Sequence, residues 1–154
     1  MKEALLQILM GFLGALGFSV MFNVRGIKLF LAAFGGAMAW CFCLLLAPVC
    51  PDEPIRYFFS AFLVAIYAEI LARVLKTPAT TFLIPGIIPH IPGGSLYHTM
   101  RYGLNRQWSA CLSQAFYTLK LAMSLALGMI AVLSVMGVIN MILNKLWFRK
   151  SQLK

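Results

Sequence analysis

The sequence predicts an all-α integral membrane protein with about five transmembrane helices, the fourth broken by a Pro/Gly-rich unwound stretch. Three observations point there. The 154 residues are 62% hydrophobic and 11% charged, whereas soluble domains run near 45–50% apolar and about 25% charged. The apolar residues fall in runs of roughly 20, the length needed to cross a bilayer as a helix. The seven prolines cluster at 48–54 and 78–92, dividing those runs. Soluble globular, disordered and disulfide-scaffold classes are excluded, and the length leaves room for one transmembrane domain, 1–154.

The first span is expected at about 4–24. It carries Lys2 and Glu3 on its flank and exceeds the 7–15 apolar residues of a signal peptide, so it is expected to be retained. Gly11, Ala15 and Ser19 recur every four residues. The second span, 27–47, repeats the device with Ala32 and Gly36, then Gly35 and Ala39. Such small-residue faces let helices approach closely in lipid; here they are expected to pack helices of the chain on each other, with docking of a partner as the other reading. Residues 48–54, with three prolines, Asp52 and Glu53, form a polar turn, and a third span follows at 57–75. The fourth, 78–100, holds the remaining proline cluster. After the polar break at 101–106 a helix runs over 108–147. Its first part, with Ser109, Ser113, Gln114 and Lys120, belongs to the interface, and 118–146 spans.

Charge decides the count. Lys and Arg total 13 against 4 acids, spread in short clusters that flank spans, as topology determinants and headgroup contacts do. No basic stripe or stacking platform points to nucleic acid. If 78–100 crosses, Arg25, Lys28, Arg73, Lys76, Lys145, Arg149, Lys150 and Lys154 share one side, 8 in all, against Lys2, Arg56, Arg101 and Arg106, which number 4. If it re-enters, the split is 6 and 6, with Lys120 uncounted either way. The positive-inside rule favours five crossings, the N-terminus outside and the C-terminus cytoplasmic.

The chemistry concentrates in 77–97. Proline within a helix removes a hydrogen bond and clashes with the preceding turn, so three prolines in eight residues exclude one continuous helix. Thr77 as N-cap and Pro78 at the first helical position start a half-helix that should end near Ile84. Gly93 and Gly94, with Ser95 as cap, start a second. Non-helical backbone at membrane depth is tolerated where it is buried in protein or lines a wet cavity, and transporters place substrate there. The N–H groups after Gly94 suit a carboxylate, and carbonyls released near Thr81–Ile84 suit an ammonium group. The expected substrate-binding residues are Pro85, Gly86, Pro89, Pro92, Gly93, Gly94, Ser95 and Tyr97; a proline kink without substrate contact is the alternative. Glu69, the one carboxylate well inside a span, stands four residues before Arg73. The two are expected either to pair or to carry a proton in a coupled cycle.

The other polar residues carry less. His90 and His98 flank the broken stretch and titrate near neutrality when unperturbed, but no nearby carboxylate makes them a metal site. Ser95 with His98 lacks a nucleophile motif. Cys41, Cys43, Cys50 and Cys111 show no zinc spacing and read as small hydrophobes. No phosphate-binding loop is present. The expectation is a non-enzymatic chain with no catalytic residue, metal or cofactor.

Residues 78–100, PATTFLIPGIIPHIPGGSLYHTM, and 17–24, GFSVMFNV, resemble the signatures of the threonine/serine exporter family, and the chain is similar in length and plan to its small-subunit members. The resemblance covers essentially the whole chain. It implies an inner-membrane exporter of small carboxylate metabolites, driven by the proton motive force, acting with a larger membrane subunit. Threonine or serine and a dicarboxylate such as succinate are both implied substrates. The family pattern carries onto Pro85, Pro89, Pro92, Gly93 and Tyr97, whereas His90 stands where the family is usually apolar. A scaffold subunit without transport and a self-sufficient homo-oligomer are the competing expectations.

Overall fold

A computed structural model describes residues 2–151. Six α-helices and one 3₁₀ turn follow each other: α1 Lys2–Met21, α2 Ile27–Leu46, α3 Glu53–Val74, α4 Thr80–Ile87, the turn Ile88–His90, α5 Gly93–Leu104 and α6 Trp108–Ser151. Among the described residues four helices are long and apolar enough to cross a membrane: α1, α2, α3 and, over Trp108–Ile139, α6. Their outward faces carry exposed leucines, phenylalanines and isoleucines, such as Leu9, Leu13, Phe30 and Ile70, a surface that lipid rather than water covers. The protein is a multi-pass membrane protein.

The first three helices form an antiparallel series held by small residues. Gly11, Ala15 and Ser19 are the buried residues of α1. A Cβ on Gly36 would stand 2.6 Å from Ala15 Cβ and 2.9 Å from Gly11 O, so backbone lies almost against backbone. On the next position of α2, Gly35 faces Tyr67 of α3 and Gly86 of α4. The two small-residue faces are therefore spent inside the chain, one on each side of α2. Tyr67 Oη donates to Leu31 O at 2.9 Å, and Ser60 Oγ donates to Ala39 O at 2.7 Å, which sets α3 antiparallel to α2. The long α6 runs parallel to α3: Tyr117 meets Glu53, Gly128 packs on Phe58 and Ala61, and Met136 meets Arg73.

The stretch expected as a broken fourth span, 78–100, falls within helical pieces of 8, 3 and 12 residues over 80–104, none long enough to cross by itself. α4 is nonetheless interior. Phe82, Leu83, Pro85, Gly86 and Ile87 are buried, with Phe82 and Leu83 in a core that includes Ala32, Val64, Ala68 and Val132. Gly86 faces Val64, and His90 reaches Ser60, so the segment descends antiparallel to α3. One end of the bundle consequently carries Lys2, Glu53 and the start of α5; the other carries Arg25, Lys28, Arg73 and Lys76.

Several boundaries depart from expectation. α3 begins at Glu53 rather than 57, because Pro54 falls in its first turn, where a missing N–H breaks no helical bond. α4 does not end at Ile84: it carries Pro85 inside it and continues to Ile87. The proline deletes only the bond back to Thr81, in the first turn, and buried packing on both sides offsets that loss. Thr77 is not the cap. Ala79 holds that position, and Thr77 Oγ1 donates to Leu75 O at 2.9 Å instead. Gly93 and Gly94 are already helical, with Pro92 as N-cap, so between 80 and 104 only residues 91–92 lie outside a helix or 3₁₀ turn.

Candidate functional site

A cavity of about 470 Å³ opens at each end of the 80–95 segment. The first lies where the α1–α2 turn meets the start of α4, lined by Phe22, Asn23, Val24, Arg25 and Lys28 from one side and Thr77, Thr80, Thr81, Ile84 and Pro85 from the other. The turn is tight because Asn23 and Gly26 adopt φ values of 58° and 66°, a region that Asn and Gly tolerate best. Asn23 also orients the cation beside it, since Arg25 Nε donates to Asn23 Oδ1 at 3.0 Å. Pro85 has no N–H to return to Thr81 O, so that carbonyl loses its α-helical partner. Two cationic residues and three threonines, two of them in the first turn of α4, line this cavity, and no carboxylate does.

The second cavity includes a carboxylate, with the Arg56 cation close enough to act on Tyr57 and Tyr117 of its wall. Glu53 lines it, with Trp40, Tyr57, Pro89, Pro92, Gly93, Gly94, Ser95, His98, Gln114 and Tyr117 among its walls. Tyr117 Oη donates to Glu53 Oε2, tying α6 to the first turn of α3. Ser95 does not cap α5. Its Oγ accepts from Gln114 Nε2 at 2.7 Å and lies 2.7 Å from Thr118 Oγ1. Thr118 donates to Gln114 O at 2.8 Å, so the remaining proton, that of Ser95, points at Thr118. Leu96 N–H closes the first helical bond on Pro92 O, leaving the N–H groups of Gly94 and Ser95 ahead of the ladder. No atom lies within 4 Å of a Cβ built on Gly93 or Gly94, so this wall of the cavity is bare backbone.

Behind the wall of the second cavity, flanked by Pro89 and Ile91, His90 is fully buried. Its Nε2 is 3.1 Å from Ser60 Oγ, and its ring lies 4.9 Å from that of Trp40 and 5.5 Å from that of Tyr57. Ser60 has already given its proton to Ala39 O, so His90 carries its proton on Nε2 and donates it to Ser60. Nδ1 is left without a hydrogen-bond partner.

The sequence-derived site residues divide among these places. Pro89, Pro92, Gly93, Gly94 and Ser95 line the Glu53 cavity. Pro85 lines the Arg25 cavity. Gly86 is packed between Val64 and Gly35 with no room for a ligand, and Tyr97 is 62% exposed beside His98. Glu69 and Arg73 lie 3.9 Å apart, far along α3 from Glu53 and on neither cavity's wall. Glu53, Gln114 and Tyr117 escaped the sequence reading because each sits at a span edge, where polar residues are ordinary. Asn23 and Arg25 carried a signal: the 17–24 stretch ends beside them.

The family model described as threonine/serine exporter, ThrE, matches residues 7–135. No curated protein and no solved structure matches the chain.

Proposed function

The chain belongs to the threonine/serine exporter family, and on that footing we propose that it is the membrane subunit of a secondary exporter of small carboxylate metabolites. Threonine or serine, or a dicarboxylate such as succinate, is the cargo; this chain is the small-subunit type, a larger membrane subunit completes the path, and the proton motive force drives it. The carrying observation is the pair of cavities at opposite ends of one interrupted segment. The 80–104 pieces make the fourth of five crossings in this reading. Support comes from the antiparallel descent of α4 along α3 and from Arg25, Lys28, Arg73 and Lys76, which share one end of the bundle, the cytoplasmic end in a bacterial inner membrane on this reading.

The two stretches that carry the family resemblance, 17–24 and 78–100, meet around the Arg25 cavity, which supports a working role for that contact rather than a kink tolerated for packing. Broken helices with polar backbone facing a cavity are how secondary transporters hold a charged solute at depth. The test is efflux of labelled threonine, serine and succinate from cells expressing this chain, its larger partner, or both. Efflux requiring both supports the reading and identifies the cargo. Efflux with this chain alone favours a homo-oligomeric exporter, and no efflux of any label from well-inserted protein favours a scaffold.

A further inference from the structure

We infer that the cavity at the Arg25 end is an oxyanion-binding site that captures a carboxylate group of the solute, with Arg25 and Lys28 as its charged ligands and Thr80 and Thr81 as its hydroxyl donors. The inference rests on the export reading for the identity of the solute, and on geometry for the site. Two cationic side chains, Arg25 of the α1–α2 turn and Lys28 of the first turn of α2, share a concave surface that no acid lines. The Arg25 guanidinium is held by Asn23 through Nε at 3.0 Å, and a guanidinium fixed at one nitrogen can still present its terminal NH₂ groups as a planar fork to a carboxylate. Thr80 and Thr81, in the first turn of α4, add neutral donors and the favourable end of the helix dipole for an anion.

The site is asymmetric with respect to the rest of the segment. The cavity at the far end is lined by Glu53, with the Arg56 cation close enough to act on Tyr57 and Tyr117 of its wall, so it does not repeat the acid-free cationic lining of the first. That difference in lining favours capture of an anion at the Arg25 end.

A phospholipid phosphate presents the same oxyanion chemistry, so the experiment separates the two sources. Equilibrium binding of labelled succinate and labelled threonine is measured on the full chain in lipid-free detergent micelles, and again in nanodiscs of phosphatidylglycerol and phosphatidylethanolamine. Saturable binding of either label in micelles is expected, weakened at least tenfold by Arg25→Gln and by Lys28→Gln, less by Arg25→Lys, and unchanged by Lys2→Gln at the opposite end. Variants are compared only when they elute as the wild type does. Binding that survives both Gln substitutions overturns the site. So does absence of carboxylate binding in micelles, and so does retention of phosphatidylglycerol through Arg25 with no carboxylate competing for it. Binding is read without flux and without a partner, so a chain that binds through Arg25 but exports nothing keeps this site and refutes the export reading.

Discussion

The hydroxyl of Ser60 lies 3.1 Å from Nε2 of His90, and it can only accept there, because its own proton goes to Ala39 O at 2.7 Å. One serine thereby joins three elements, α2, α3 and the 3₁₀ turn, at a depth where water cannot substitute for a lost partner. The arrangement leaves the two partners unequal. Ser60 serves a carbonyl and an imidazole, whereas His90 is satisfied on one nitrogen only.

Ser60→Ala should therefore destabilise the protein more than His90→Leu. Removing the hydroxyl strands the His90 Nε2–H and takes from Ala39 O the donor it has besides its helical one, an expected loss of about 1–3 kcal/mol. His90→Leu removes the orphaned Nδ1 and leaves Ser60 bonded to Ala39, and should fall within about 1 kcal/mol of the wild type. Unfolding titrations in mixed detergent–SDS micelles measure both; an equal loss from the two variants would contradict the proton assignment.

Glycines of the interrupted segment and of the bundle should respond in opposite ways. Gly36→Ala places a Cβ 2.6 Å from Ala15 Cβ and 2.9 Å from Gly11 O. Backbone cannot yield there, so a loss of roughly 1–3 kcal/mol is expected from overpacking. Gly93→Leu meets nothing within 4 Å of its Cβ and should leave folding and insertion intact while filling the Glu53 cavity. Under the proposed function it abolishes efflux, and normal flux through well-inserted Gly93→Leu would remove that cavity from the path.

Tyr117→Phe and Glu53→Gln should be coupled. A hydroxyl donating to a carboxylate is a charge-assisted bond, and this one links α6 to the first turn of α3. A double-mutant cycle on stability should return an interaction of about 1 kcal/mol. Additive single effects would show that the two side chains act independently.

Glu69→Gln should change stability by less than about 1 kcal/mol, since the ion pair is 3.9 Å long and Arg73 is 42% exposed, the regime in which pairs contribute little. The substitution is thus a clean probe of transport. Efflux that falls while the protein remains folded assigns Glu69 a part in coupling, and unchanged efflux leaves it as a partner of Arg73.

Much of this was legible along the chain. Hydropathy and length located α1, α2 and the body of α3 within a few residues, and the four-residue spacing of Gly11, Ala15 and Ser19 marked the face that α1 buries. The proline cluster announced that 78–100 is not one helix. Its internal boundaries were misplaced because local signals were read as caps: Thr77 and Ser95 are good capping residue types, yet both hydroxyls are drawn to other partners, Leu75 O and the Gln114–Thr118 pair.

The sequence by itself determined the helical membrane class and the approximate extent of α1, α2 and α3, because each follows from the transfer of side chains between water and hydrocarbon, a property of single residues and their neighbours. Which polar groups meet was decided only by the tertiary structure. Glu53 reaches Tyr117 across 64 residues and His90 reaches Ser60 across 30, and no local pattern encodes such pairs. Glu69 lies on neither cavity's wall, because the register of α4 against α3 sets the Pro/Gly turn beside Glu53. Helix packing fixes that register through backbone contact at Gly35, Gly36 and Gly86, where the absence of side chains lets the helices close and thereby chooses which polar groups share a depth.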